Sequence, residues 1–270
     1  TIFVRRYSPP AARMPLEEPG EWRNEREWPI SRREDRLLYF GEQSLGDSPA
    51  KAGCLDELNY RAGAGISSGI HWGGGVLPWG TPLDQRLDDA NSLVYTSAPL
   101  EEELEVTGTP IAKLFVSSTA NVAYFRVKLI DVAPEGTAKL VRHGGLNATH
   151  RESHSQPKPL VPGEVYELEV PLKSMSYVFQ CGHRLRVAVA GADFQNAWPT
   201  AKPGVHSIYR GGEYASHISL PVIPRQSPTL TLPDLQQLPP ADPQRRVKPS
   251  EYPITQDLGE ETTTVRLHVE

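Results

Sequence analysis

Hydrophobic and polar residues alternate along several short segments in the middle of the chain. The longest of these runs from Tyr124 to Val132 (YFRVKLIDV), where apolar and polar side chains change places at most steps. Successive side chains of a β-strand point to opposite faces, so this alternation predicts a strand with one buried face. Comparable patterns predict strands at 93–96, 104–108, 111–117, 165–172, 185–190 and 216–222.

Turn-forming residues separate the predicted strands. The chain contains 26 proline and 22 glycine residues, which interrupt helices and favour turns. No segment of about ten residues or more carries the amphipathic pattern of a helix. We therefore predict an all-β fold in which two sheets form a sandwich.

The chain divides into three parts by composition. Residues 1–40 predict an extended N-terminal segment that contains the first strand. Residues 41–224 predict the β-sandwich, including a long glycine-rich loop at 41–92. Residues 225–270 predict a proline-rich extension that ends in a strand. Because strand patterns stand at both ends, we expect the chain to be part of a larger protein.

Charge and hydropathy exclude several kinds of partner. The net charge of −5 argues against nucleic-acid binding, which needs a concentrated basic face. The basic residues of 23–36 alternate with acidic ones, so we expect a solvated surface there. No apolar stretch approaches the ~18 residues of a membrane span. Cys54 and Cys181 are expected to be buried or free thiols, with their pairing left open. Nothing decides between cytosol and export, and we take the cytosol as the working expectation.

One sequence has the form of a nucleophile motif. Gly65–Gly69 reads GISSG and matches Gly-x-Ser-x-Gly. The motif works on a turn between a strand and a helix, and no helix pattern follows Ser67. We therefore expect no catalytic residue in this chain, and no cofactor.

The sequence evidence for a metal site is as weak as that for a nucleophile. His150 and His154 have a four-residue spacing, but no helix pattern places them on one face. The acidic residues at 88–89 and 101–103 are expected to be solvated rather than to bind calcium. We predict no metal site.

Three tryptophans lie in predicted loops, namely Trp72, Trp79 and Trp198. Exposed tryptophans stack on sugars or anchor protein contacts. We favour contact with a partner surface, and an independent carbohydrate-binding module remains the alternative.

One block of sequence is too specific to be explained by amino-acid composition. Residues 177–189 (YVFQCGHRLRVAV) resemble the Phe-x-x-Gly-His-Arg-Leu-Arg-Val signature in the C-terminal domain of the CocE/NonD hydrolases, relatives of the X-Pro dipeptidyl-peptidases. Other motifs agree in order, so the resemblance covers about residues 20 to 224. They are 22–23, 28–29, 73–74, 84–86, 96–108, 129–136, 144–153 and 162–166.

The resemblance implies a jelly-roll or galactose-binding-like sandwich that accompanies an α/β-hydrolase domain with a Ser-His-Asp triad and a helical cap. Both domains would be partners within one parent chain, which could form a homo-oligomer. No triad residue maps onto this sequence. In relatives the stretch after the Gly-Gly pair approaches the active-site cleft. That stretch corresponds here to Gly75, Val76, Leu77, Pro78 and Trp79.

The resemblance also marks residues for which we expect a structural role. These are Asp131, Gly182, His183 and Arg184. Within a strand, His183 and Arg184 would point to opposite faces and could satisfy buried backbone carbonyls. Relatives carry Asp-x-Asp-Phe where this chain has residues 122–125 (VAYF), which places it in a divergent branch.

Overall fold

Strands make up almost all the regular structure in the computed structural model, which describes residues 1–11, 15, 17–66, 81–224, 254–257, 260 and 262–266. The strands are β1 (Ile2–Arg5), β2 (Gly20–Arg23), β3 (Glu34–Phe40), β4 (Leu45–Gly46), β5 (Cys54–Asn59), β6 (Leu93–Thr96), β7 (Leu104–Gly108), β8 (Ile111–Ser118), β9 (Tyr124–Val132), β10 (Ala138–Asn147), β11 (Tyr166–Pro171), β12 (Met175–Phe179), β13 (Arg184–Ala190), β14 (Val205–Arg210), β15 (His217–Val222), β16 (Ile254–Asp257) and β17 (Thr262–Val265). The described helical elements are α1 (Arg86–Asp89) and a 3-10 turn (Ala148–His150).

Two sheets carry the fold. The larger has eleven strands in the order β2-β1-β12-β7-β15-β8-β14-β5, with β11 beside β8, β3 beside β15, and β4 beside β3. The smaller has four strands in the order β10-β9-β13-β6, and β16 and β17 form a separate hairpin. Some neighbours are consecutive in the chain, as β9 and β10 are, whereas others, such as β13 and β6 or β14 and β5, come from distant parts of the sequence. The all-β sandwich is therefore confirmed, whereas the galactose-binding-like subtype stays a prediction.

The core lies between the sheets and is built by alternation along each strand. Phe125, Val127 and Leu129 of β9 face inward and are fully buried. The rings of Phe40 and Tyr95 stack within the same core, with centroids 4.3 Å apart. Burying side chains of this size stabilises a fold by about 1.5–3 kcal/mol each.

The outer face of β9 is also buried. Arg126, Lys128 and Ile130 occupy the alternate positions, and none is more than 7% exposed. Ala190 and Ala64 form a small apolar cluster on neighbouring segments. Chain outside the two sheets therefore covers this face, which a free antiparallel sheet would expose to water.

The seven strands predicted from alternation are all present. The alternation did not identify β5, β10, β12 and β14. The strand β5 falls in the predicted loop 41–92 and, among the described strands, pairs with β14 alone, at the edge of the larger sheet. Most of its side chains are exposed, so it carries no buried apolar face to recognise. The division into 1–40, 41–224 and 225–270 stays a prediction.

The N-terminal segment joins the larger sheet through β1, which pairs in parallel with β12. Part of its charged surface is not solvated as expected. Arg23 contacts Glu105 at 2.5 Å and Glu25 at 2.7 Å, and its side chain is only 15% exposed. The expectation was wrong here because β2 returns along β1 and brings Arg23 next to β7.

Candidate functional site

The candidate pocket wall, Gly75–Trp79, lies outside the described residues, as do Ser67 and Trp72. Asp131, Gly182, His183 and Arg184 are described. A second group of charged side chains, which the sequence analysis did not select, lies on the outer face of the smaller sheet.

Asp131 lies near the end of β9 and is fully buried. One carboxylate oxygen, Oδ1, lies 2.7 Å from Nδ1 of His183. The other, Oδ2, accepts a hydrogen bond of 2.8 Å from the hydroxyl of Tyr177. Burial raises the pKa of Asp131, while the hydrogen bonds from His183 and Tyr177 act in the opposite direction. Burial and the Asp131 carboxylate both raise the pKa of Tyr177.

His183 connects this carboxylate to the N-terminal segment. The edge of its ring contacts the ring of Tyr7, with centroids 4.9 Å apart. Gly182 precedes it with a φ of +81°, a left-handed conformation that favours glycine at this turn. Arg184 points away and donates to the carbonyl of Ser97 at 3.0 Å.

The second group is a buried charge cluster, which we define as Asp88, Arg126, Lys128 and Asp193. Nζ of Lys128 lies 2.7 Å from Oδ2 of Asp88 and 4.0 Å from Oδ1 of Asp193. Arg126 contacts Asp193 at 2.7 Å. All four side chains are at most 8% exposed. Burial raises the pKa of Asp193, and the charges of Arg126 and Lys128 oppose that shift.

The sequence expectation that residues 88–89 are solvated was wrong. The short helix α1 lies on the outer face of the smaller sheet and carries Asp88 directly to Lys128. Asp89 is half-buried beside Arg186, with which it forms a close ion pair. Burial raises the pKa of Asp89, and Arg186 counteracts it.

The buried charge cluster ties three segments together. The amide of Gly65 donates to Oδ1 of Asp88 at 2.7 Å, and the amide of Phe194 donates to the carbonyl of Ala64 at 2.7 Å. A Cβ at position 65 would lie 2.5 Å from Oδ1 of Asp193, so this contact requires a glycine. Residues 61–66, α1 and the loop at 193–197 therefore meet above β9.

One sequence signal could have revealed this cluster. Ile130 occupies the same face of β9 as Arg126 and Lys128. On a face exposed to water, the position after Arg126 and Lys128 would usually be polar. The isoleucine at position 130 therefore indicates that other parts of the chain cover this face. Which acidic residues would meet the two cations depends on tertiary contacts that the pattern does not contain.

Metal ligands do not gather in the described part of the chain, where no group of three or more His, Cys, Asp or Glu could hold an ion. His150 and His154 do lie close, with ring centroids 5.5 Å apart. Cys54 and Cys181 are free and exposed. Among the described helices, none has the length and hydropathy of a membrane span.

Trp198 is the most exposed of the large apolar residues described, at 90%. It lies in the loop that follows Asp193, beside the ring of Phe194 at a centroid distance of 6.2 Å. The sequence placed it in a loop, and the structure joins that loop to the buried charge cluster.

Known proteins are similar to this chain in sequence and in fold. A family model described as the X-Pro dipeptidyl-peptidase C-terminal non-catalytic domain matches residues 7–219. A presumed serine esterase of Mycobacterium bovis is 35% identical over 226 residues, covering 76% of this chain and 36% of that protein. The cocaine esterase of a Rhodococcus species is 32% identical over 235 residues, covering 76% of this chain and 40% of that protein.

A solved structure supports the same resemblance. The crystal structure of an aminopeptidase from a Thaumarchaeota archaeon of marine sediment matches with a TM-score of 0.68 and 27% identity, covering 76% of this chain and 39% of that one. The chain spans about two fifths of the length of the curated relatives named above. The resemblance to CocE/NonD hydrolases and X-Pro dipeptidyl-peptidases is thus confirmed, and the chain belongs to the family of X-Pro dipeptidyl-peptidase C-terminal non-catalytic domains.

Proposed function

We propose that this chain is the supporting β-sandwich of a serine hydrolase that cleaves esters or X-Pro peptides. The reaction would be carried out by an α/β-hydrolase domain with a helical cap in the same longer protein. The family match over residues 7–219 carries this proposal, because that family is described as non-catalytic. A relative named as a cocaine esterase supports the ester class, and the family description, which names X-Pro dipeptidyl-peptidases, supports the peptide class.

We further propose that residues 75–79 form part of the substrate pocket wall. The described residues on both sides of this stretch are fixed to the sandwich. On one side, Gly65 donates to Asp88 and Ile66 is buried. On the other, the amide of Gln85 donates to the carbonyl of Ala138 at 3.0 Å. These anchored flanks support the proposal, because a pocket wall needs attachment to a rigid scaffold to discriminate between substrates.

The pocket proposal is tested in the longer protein with Leu77→Ala and Trp79→Ala. Hydrolysis of a panel of esters and X-Pro amides is measured as kcat and KM for each variant. We expect KM and the preference among acyl groups to change, with the melting temperature preserved. Val161→Ala serves as control, because Val161 is 58% exposed on a different loop. Unchanged KM and selectivity in both variants would remove residues 75–79 from the pocket.

We also propose a structural role for Asp131, Gly182, His183 and Arg184. The contact of His183 with Tyr7 supports it, since this contact attaches the N-terminal segment to the sandwich. The carbohydrate-binding alternative is not favoured, because the relatives found are hydrolases. A glycan array probed with the chain would detect any such binding.

A further inference from the structure

The loop of residues 193–200 presents a large apolar side chain on a rigid support. Trp198 is 90% exposed, although a tryptophan buries up to about 250 Å² when it finds a partner. Residues 194–201 (FQNAWPTA) carry no charge, in a chain of which 23% is charged. Interface centres have this composition, with aromatic residues enriched and charged residues depleted.

The loop is held in place by buried contacts. Backbone amides of Asn196 and Ala197 donate to the carbonyl of Asp193 at 2.9 and 2.7 Å. The amide of Thr200 donates to the hydroxyl of Tyr60 at 2.9 Å. The side chain of Asp193 is anchored in the buried charge cluster by Arg126. A loop fixed at both ends loses little conformational entropy on binding, which is the property of a preformed contact site.

A second apolar side chain stands beside the same cluster. Leu87 is 68% exposed on α1, and its neighbour Asp88 belongs to the buried charge cluster. The two cations and two anions of that cluster balance, so the cluster to which the Trp198 loop and α1 are attached adds no net charge. An apolar and electrically neutral partner surface fits this region best.

We propose that the Trp198 loop, together with Leu87, is a docking site for the α/β-hydrolase domain of the longer protein. This inference rests on the proposed function and names the surface that makes the contact. The relatives supply the occupant, because this chain accounts for only 36–40% of their length. The same loop is joined to residues 61–66, because the amide of Phe194 donates to the carbonyl of Ala64.

Hydroxyl-radical footprinting of the intact longer protein tests this docking directly. Oxidation of Trp198 is compared with that of Trp22 and Trp28, which serve as internal controls at 50% and 53% exposure. We expect Trp198 to oxidise at least about fivefold more slowly than both controls, because docking buries it. Oxidation of Trp198 as fast as that of Trp22 or Trp28 would overturn the proposal. So would protection that vanishes on dilution to a monomer, or that requires added oligosaccharide.

Variants separate docking from the proposed function. If docking couples the two domains, the longer protein should unfold in one thermal transition, which Trp198→Ala should divide into two. Trp198→Ala should also raise KM, and Trp198→Phe should restore both properties. A single transition at the wild-type temperature in Trp198→Ala would overturn docking. Hydrolysis is measured on the same wild-type sample. Activity with an exposed Trp198 would reject the docking site alone, whereas a wild-type protein without hydrolase activity would reject the proposed function.

Discussion

Lys128 and Asp88 form an ion pair with 2.7 Å between Nζ and Oδ2, and both side chains are only 3% exposed. Forty residues separate them in sequence. The pair links β9, an inner strand of the smaller sheet, to a four-residue helix that has little stability by itself. This contact therefore fixes part of the chain between β5 and β6 on the sandwich.

Lys128→Met is expected to destabilise the protein by about 3–5 kcal/mol, because it leaves the Asp88 carboxylate buried without its cation. Urea unfolding measures the change. Adding Asp88→Asn should recover part of the loss, since the uncompensated charge is then removed. A loss below about 1 kcal/mol for Lys128→Met would contradict the buried pair.

An exposed pair provides the matched control for this experiment. Lys113 contacts Glu167 at 2.8 Å, with side chains 33% and 49% exposed. Lys113→Met removes the same group from a solvated pair, so its expected cost is below about 1 kcal/mol. The difference between the two lysine variants isolates the effect of burial.

The free energy of unfolding should decrease as the pH is lowered, because of His143 on β10. Burial lowers its pKa to about 3, and the nearby charge of Arg126 adds to the effect. Above the unfolded value of about 6.5 both states are neutral, and below it the unfolded state takes up a proton that the folded state refuses. The loss from this group is about 2 kcal/mol between pH 6.5 and 5.

His143→Gln should flatten that part of the pH dependence, measured by urea unfolding at pH 7, 6 and 5. The exposed His154→Gln is the control and should keep the wild-type slope. Burial also lowers the pKa of His206, so some slope should remain in His143→Gln. Equal slopes in wild type and His143→Gln would show that His143 does not titrate as described.

Gly145→Ala should destabilise the protein by about 1–3 kcal/mol through overpacking. A Cβ at this position of β10 would collide with the hydroxyl of Tyr124 on the neighbouring strand β9. Gly46→Ala is the control, because nothing lies within 4 Å of a Cβ there. Thermal unfolding of both variants measures the difference, and equal melting temperatures would refute the close contact.

Tyr177→Phe should cost about 1–3 kcal/mol, because Asp131 loses a buried hydrogen-bond donor. In the longer protein kcat should remain unchanged, since the proposed role of this group is structural. Stopped assays with a saturating ester would report kcat beside the melting temperature. A large fall in kcat without loss of stability would instead indicate that the Asp131 group takes part in the reaction.

Much of the fold could be predicted from sequence, because alternation along segments such as 124–132 records which face is buried. Strands that lack this alternation of apolar and polar residues were missed. β5 is an exposed edge strand, and β10 contains a register shift between Leu140 and Arg142 that interrupts alternation. Local patterns carry no signal for such strands, whose pairing is decided by distant partners.

The candidate site residues were also predicted only in part. A sequence motif identified Asp131 and His183, whose contact the structure shows at 2.7 Å. The buried charge cluster was missed, since Asp88 and Asp193 carry no local mark that separates them from solvated acidic residues. Their partners on β9 are far away in sequence, and only folding brings them together.

As proposed above, this chain supports a hydrolase without performing its chemistry. The most direct test measures hydrolysis of a p-nitrophenyl ester and an X-Pro p-nitroanilide by residues 1–270 alone and by the longer protein. Circular dichroism first verifies that the isolated chain retains its β-structure. We predict hydrolysis by the longer protein and none above buffer by the chain. Turnover by the isolated chain that Ser67→Ala abolishes would contradict the claim.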